Sequence, residues 1–406
     1  MLGAFTAYRP FALGNQMLIF RSFSIQAVAA GLLAGFVGFS SSFAVVVQGL
    51  KSAGASEIEA SSGLMALSIA MGLGGIILSL RTRMPVSVAW STPGAALLSS
   101  TGAIYGGFSG AVGAFLISAV LLVLAGIWKP LGRAVAAIPM PLANAMLAGI
   151  LLHMCLAPIT AIVEKPILGL TIVAVWALTA RIKRIYAVPA AFITTIVLIA
   201  ATGSGAPIAA SALLPAPVLI TPVFSFSAFM SVGVPLFIVT MASQNIPGIA
   251  VLTINGFKPA PSPLFTVTGL LTLLSAPFGG HAVNLAAITA AMCAGPDAHA
   301  DPSRRYWAGI SSGAIYILFG LIAGGATALI SFSPPILIEA VAGLALIGAF
   351  GASIHSALSD SNDREAAVIT FLVAASGMSL FGIGGAFWGL LSGGAMMVIQ
   401  RAGRVA

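Results

Sequence analysis

Pro85-Val-Ser-Val-Ala-Trp90-Ser-Thr-Pro93-Gly94-Ala-Ala-Leu-Leu and Pro277-Phe-Gly279-Gly280-His281-Ala-Val-Asn284-Leu-Ala-Ala-Ile occupy matching places in the two halves of this chain. Each joins a short extended or glycine-rich stretch to an apolar run too short to cross a bilayer as a full helix. Backbone N–H and C=O groups at such a break lack helical partners. At membrane depth that is tolerated only where protein or a water-filled cavity satisfies them. Paired interruptions of this kind point to the binding site of a secondary carrier, with half-helix N-termini turned toward anionic groups. The two stretches therefore predict a carrier with its site near the bilayer midplane.

Composition agrees. Of 406 residues, 59% are hydrophobic and 6% charged, against about 25% charged in a soluble domain. The mean hydropathy is +1.10. A formal net charge of +8 would suggest nucleic acid in a soluble protein. In a membrane protein it follows from the Lys and Arg that gather in cytoplasmic loops, so no nucleic acid is expected. Cys155 and Cys293 lie in or beside apolar runs, which argues against a disulfide framework or a metal site. Residues 1–23 lack a basic start, a clean apolar core and a small-residue cleavage site, and read as a retained cytoplasmic tail.

A spanning helix needs about 20 apolar residues. Candidates lie near 24–50, 60–80, 104–127, 137–157, 166–181, 185–202, 230–254, 262–278, 306–330, 334–357, 364–379 and 381–400. The broken segments, 84–101 and 279–295, complete an all-α polytopic protein of fourteen transmembrane segments, with spans 3 and 10 broken. Starting inside, this arrangement puts every basic residue except Lys51 and Lys165 on the cytoplasmic side. Seven spans per half make the second half start from the opposite side, giving a 7+7 inverted repeat. Pro141-x6-Ala148-Gly149 and Pro335-x6-Ala342-Gly343 echo each other across it. The uncharged, Pro/Ala-rich stretch 204–229 reads as an external linker between the halves.

Several residues have the chemistry for a site. Gln244 and Asn245 fall mid-span, where amides are costly unless bonded. They either join helices as polar glue or donate to a substrate carboxylate. Pro247 beside them removes a helical hydrogen bond and frees a carbonyl. Ser91 or Thr92 is placed to cap a half-helix opened by Pro93, and Asn284 is the equivalent cap candidate in the second segment. Free N–H groups after such caps favour an anion. Gly94, Gly279 and Gly280 admit close backbone approach, to a ligand or to a neighbouring helix. Trp90, Phe39, Phe43 and Phe278 are the ring partners for an aromatic ligand, or ordinary core. His281, the titratable side chain beside a break, either carries a proton or holds the crossing point together. Glu339 is the carboxylate set well inside an apolar run, suited to gating or to proton coupling. Asp297, Asp301, Arg304 and Arg305 read as a solvated loop, as do Asp360, Asp363, Arg364 and Glu365. No metalloprotease, Walker or paired-carboxylate pattern is present, so neither an enzyme nor a bound metal or cofactor is expected.

Pro235-Leu-Phe-Ile-Val-Thr-Met-Ala-Ser243-Gln244-Asn245-Ile-Pro247-Gly248-Ile, with the Trp90 and His281 stretches, resembles the bacterial benzoate/proton symporters, the BenE family, from about Phe23 to Arg401. That family is distantly similar to nucleobase–cation symporters and to sulfate and bicarbonate carriers. The resemblance implies import of benzoate or a related aromatic carboxylate with a proton across the bacterial inner membrane, by alternating access, with both termini cytoplasmic and a homodimer as one possible assembly. It also implies a core domain (24–127 and 230–330) moving against a gate domain (128–203 and 331–406). Under it, the substrate is held by Trp90, Ser91, Thr92, Gly94, Ser243, Gln244, Asn245, Gly280, His281, Asn284, Phe39 and Phe43, with His281 and Glu339 in proton coupling. One departure stands out. Nucleobase carriers of this type place a carboxylate after Val239-Thr-Met-Ala, where this chain has Ser243, and its absence favours an anionic substrate. Another small anion or a nucleobase on the same fold, a passive anion channel and a non-transporting scaffold are the rival readings.

Overall fold

A computed structural model describes residues 23–128, 130–132, 138–201, 214–331 and 334–403. The N-terminal tail before Phe23, Lys129, Arg133, Arg404 and the first part of the expected external linker lie outside the described residues. Helix α1 (Ile25–Ser40) is followed by α2 (Phe43–Ser52) and α3 (Glu57–Thr82). Strand β1 (Val88–Trp90) leads into α4 (Thr92–Ser100), then α5 (Gly107–Ile127), α6 (Met140–Glu164), α7 (Pro166–Lys183) and α8 (Ala187–Ala201). The second half holds α9 (Phe226–Ile254), α10 (Pro261–Ser275), β2 (Val283–Leu285) and α11 (Ile288–Ala294). It continues through α12 (Tyr306–Leu321), α13 (Ala323–Ser331), α14 (Pro335–Leu358) and α15 (Arg364–Ala375), then the hairpin β3 (Ser379–Leu380) and β4 (Ile383–Gly384), to α16 (Gly385–Gly403).

Eight helices among the described residues are long and apolar enough to cross a membrane, or nine with the α12–α13 pair, which is bent by 60°. Fourteen crossings would require α7 and α8 to count separately and α4, α11, α15 and α16 to count as spans. The chain is a polytopic, mostly helical membrane protein. It is not purely helical, because the extended parts of the two broken segments pair with each other. β1 and β2 run antiparallel with Val88 opposite Leu285, Ala89 opposite Asn284 and Trp90 opposite Val283. Each strand thus supplies the backbone partners that the other segment's break removes.

Three spans read as continuous are interrupted. The first breaks at Ser41 and Ser42, between α1 and α2. The span expected at 306–330 bends at Ile322, and that expected at 364–379 stops at Ala375 before the β3–β4 hairpin. Helix α9 stays continuous but widens twice, at Phe229–Gly233 and Met241–Asn245, where i→i+5 turns replace α-helical ones. Each wide turn ends two residues before a proline, Pro235 or Pro247. Proline lacks the N–H for the i→i−4 bond and its ring crowds that carbonyl, and one extra residue per turn relieves the clash.

The closest packing sorts the helices into two bundles, α1–α5 with α9–α13, and α6–α8 with α14–α16. Small residues permit it. A Cβ at Gly72 on α3 would lie 2.5 Å from the Gly313 carbonyl on α12, and the converse distance is also 2.5 Å. The connections gather at two ends. At one, Arg83 donates to the Tyr306 hydroxyl (2.7 Å) and Ser262 bonds the Gly126 carbonyl. At the other, beyond Lys51, Ser62 bonds the Phe278 carbonyl (3.0 Å) and Ile220 N–H that of Pro277 (2.8 Å). The bundles are joined at this Lys51 end by Gln48 Nε2 donating to Glu339 Oε1 (3.0 Å) and by Ser231 bonding the Gly382 carbonyl (2.8 Å).

Candidate functional site

Between the bundles, at the α1–α2 break, lies a cavity of about 760 Å³, counting the open solvent at its mouth. Val37, Gly38, Ser41 and Ser42 line it from the break, and Ala89, Trp90, Thr92 and Pro93 from the first broken segment. Ala286, Ala287 and Thr289 come from the second broken segment, Gln244 from α9, Tyr316 from α12, and Ala345, Leu346 and Ala349 from α14. No Asp or Glu is among these residues. Both short helices therefore begin at the cavity, and the wide turn of α9 delivers Gln244 to it.

Helix α4 is well formed at this end. Ser91 is its N-cap, with Oγ accepting from Gly94 N–H at 3.1 Å, and Pro93 sits in the first turn, where its missing N–H costs nothing. Thr240 on α9 donates to the same Oγ at 3.3 Å. Of the two expected caps only Ser91 acts as one. Asn284 does not cap α11: it lies in β2 opposite Ala89, and the N-cap position is taken by Ala287, which offers no side-chain acceptor. The cap position falls three residues later than Asn284, because pairing with β1 keeps the chain extended through Leu285.

The adjacent amides of α9 divide. Gln244 is half-buried, lines the cavity and makes no side-chain hydrogen bond among the described residues. Asn245 is fully buried, and its Oδ1 accepts from Leu285 N–H (2.8 Å) while Nδ2 contacts Met241 Sδ (3.2 Å). It ties α9 to β2 and does not face the cavity. Ser243 returns its hydroxyl to the Val239 carbonyl one turn back.

His281 is also fully buried and outside the lining. Its Nε2 lies 2.8 Å from the Ser91 carbonyl, which can only accept, so this nitrogen donates. The imidazole thus bridges the second broken segment to the cap of the first, with its ring 6.3 Å from that of Phe115. Nδ1 and both amide atoms of Asn284 are buried without a hydrogen-bond partner among the described residues. Gly94 and Gly280 serve packing: a Cβ at Gly94 would meet Leu236, and one at Gly280 would meet Ser275. Phe39 and Phe43 do not face the cavity. They line a separate apolar cavity with Phe192 and Phe319, and Phe39 backs Trp90 at 5.4 Å between ring centroids. Glu339 lines a third, polar cavity at the Lys51 end with Gln48, Ser52, Ser99, His153 and Glu164.

Several lining residues were not singled out in the sequence. Ser42 accepts from Trp90 Nε1 at 2.9 Å, Thr289 shares a hydrogen bond with Ser87 (3.1 Å), and Tyr316 is almost wholly buried with its hydroxyl against Gly38. The run Ser40-Ser41-Ser42 was the available signal. Arg305, read as part of a solvated loop, is 6% exposed and donates to the carbonyls of Ala294 (2.8 Å) and His299 (2.7 Å), closing the C-terminal end of α11.

The model of the BenE family, described as benzoate membrane transport protein, matches residues 21–399. This chain belongs to that family. Among BenE-related sequences, Inner membrane protein YdcO of Escherichia coli (strain K12) is 43% identical over 384 residues, covering 93% of this chain and 97% of the relative. The Benzoate membrane transport protein of Acinetobacter baylyi (strain ATCC 33305 / BD413 / ADP1) is 32% identical, with 92% and 94% covered. Solved structures share the BenE chain's fold at 13–14% identity. The transmembrane domain of a cyanobacterium bicarbonate transporter, BicA, aligns with TM-score 0.60 over 91% of this chain and 98% of that one. SLC26A9 aligns at 0.64, covering 96% and 67%. The murine SLC26A9 anion transporter in the inward-facing state gives 0.62, covering 98% and 73%. The fold likeness is thus to a bicarbonate transporter and to SLC26A9, and it gives no support to the expected likeness to nucleobase–cation symporters.

Proposed function

We propose that this chain is a secondary carrier that imports benzoate or a closely related aromatic carboxylate with one proton, across the bacterial inner membrane. The observation that carries the reading is the central cavity. Its polar groups include an uncommitted amide, Gln244, and Thr92 at the N-terminus of a capped helix, both suited to a carboxylate. Trp90, Tyr316, Val37, Met71 and Leu346 supply an apolar wall suited to a ring. The named relative from Acinetobacter and the anion-transporter fold agree with a small organic anion.

In this proposal the chain crosses the membrane fourteen times in two inverted sevens, with the Arg83 end cytoplasmic. The α1–α5/α9–α13 bundle is the core and the α6–α8/α14–α16 bundle the gate, and their relative motion exposes the cavity to each side in turn. Cotransport of one proton with an ionised carboxylate is electroneutral, so each unit of pH gradient supports about tenfold accumulation. Two titratable groups could pass the proton: His281, at the crossing of the broken segments, and Glu339, at the Lys51 end.

Labelled benzoate uptake into proteoliposomes tests the scheme. An imposed pH gradient should concentrate benzoate, and a voltage alone should not. Dissipative flux without accumulation would make the protein a channel, and no flux a scaffold. Gln244→Ala should weaken benzoate binding about tenfold to a hundredfold, the worth of a hydrogen bond to a charged group. Unchanged affinity would place the carboxylate elsewhere. His281→Gln that keeps counterflow but loses pH-driven accumulation would assign the proton to the imidazole, and the same outcome for Glu339→Gln would assign it to the carboxylate.

A further inference from the structure

The break between α1 and α2 places one hydroxyl between the cavity's largest ring and the backbone of α1. Ser42 sits at that break with φ −143° and ψ −6°. Its Oγ accepts from Trp90 Nε1 at 2.9 Å and donates to the Gly38 carbonyl at 2.9 Å. The pairing is chemically complete. An indole N–H can only donate and a carbonyl can only accept, and a serine hydroxyl does both. Trp90 itself is 2% exposed yet lines the cavity. Behind it Phe39 stands at 5.4 Å, held in turn by Phe43 at 5.4 Å and Phe319 at 4.5 Å. Aromatic contacts limit how the indole can tilt, and the bond to Ser42 fixes its rotation.

We propose that Ser42 is a positioning residue for substrate selection: through the Trp90 N–H it holds the indole so that the cavity accepts a planar ring in preference to a puckered one of the same size. The inference rests on the reading of this cavity as the substrate site. Ser42 acts on the ring through Trp90, because the hydroxyl is already committed in both directions. Without it, a buried indole N–H is left unpaired, and the ring turns to find a partner in the cavity. A carboxylate attached to a saturated six-membered ring makes the same polar contacts as benzoate and lacks the flat face, so it isolates this effect.

The test compares affinities for benzoate and cyclohexanecarboxylate in purified full-length protein. Wild type should favour benzoate, and Ser42→Ala should reduce that preference about three- to tenfold, the span of an oriented aromatic contact. Ser42→Thr, which keeps the hydroxyl, should retain it. In a Trp90→Phe background, which has no N–H to hold, Ser42→Ala should cause no further change. An unchanged preference in Ser42→Ala, or an equal loss in the Trp90→Phe background, overturns the proposal. A parallel measurement needs no substrate. With Trp128, Trp176, Trp307 and Trp388 replaced by Phe, the emission of Trp90 should shift on Ser42→Ala, and a constant spectrum rules out the orienting role. If wild type binds neither acid, the substrate reading and the ring selection both fall, and the emission alone reports whether Ser42 orients the indole.

Discussion

The two broken segments pair strand to strand and present short helices to one cavity, yet they are held in different ways. The first caps its own helix, with Ser91 Oγ accepting from Gly94 N–H, while its extended part leans on neighbours, Val86 N–H on Ser79 Oγ of α3 (3.1 Å) and Ser91 N–H on the Ala282 carbonyl (3.0 Å). The second borrows its partners. Leu285 N–H depends on Asn245 of α9, and Val283 N–H on Thr272 Oγ1 of α10 at 2.9 Å. Its helix has no side-chain cap, and its buried Asn284 amide is unpartnered. Matching positions in the two halves preserve where a break occurs and not the chemistry that stabilises it. The helix start of the first segment should respond to its own Ser91, and the strand of the second to side chains outside it.

That contrast can be tested by equilibrium unfolding in mixed micelles. The largest loss is expected for Asn245→Ala, at about 1–3 kcal/mol, because it strands a buried backbone N–H on another element. Ser91→Ala should cost less, about 1 kcal/mol, the usual worth of a serine N-cap. A greater loss at Ser91 than at Asn245 would reverse the comparison. Smallest of all is Asn284→Leu, expected within about 0.5 kcal/mol of wild type or stabilising, since an amide with no partner among the described residues is replaced by an apolar side chain of the same branched skeleton. A loss above about 1 kcal/mol there would mean that the amide is bonded, by water or substrate, in the working protein.

The broken segments were legible because Pro93, Pro277 and the Gly279–Gly280 pair interrupt apolar runs that are themselves too short to span. Their pairing was not, since strand register between Ala89 and Asn284 is a contact across 195 residues with no local mark. For the same reason Asn284 looked like a cap: an Asn a few residues before a helix satisfies the local pattern whether the chain turns there or stays extended. Gln244 and Asn245 were identifiable as costly amides, but only the wide turn before Pro247 decides which one faces the cavity. Ser42 was hidden inside an apolar stretch whose hydropathy reads as one helix. A hydroxyl that can return its bond to the previous turn leaves no strong trace in composition.

Among the described residues, the side-chain hydrogen bonds between the bundles gather at one end. Gln48 reaching Glu339, and Ser231 reaching Gly382 beside the β3–β4 hairpin, all sit at the Lys51 end. If the bundles move against each other as proposed above, that motion must undo each of these bonds. Hydrogen bonds to a charged group contribute about 1.5–3 kcal/mol and neutral ones about 0.5–1.5. Under that proposal a few such bonds would hold the population heavily on one side, and substrate binding would have to offset their loss. Under the same proposal the Glu339 carboxylate would act less as a wall of the passage than as a tether, its bond to Gln48 setting how often the far side opens.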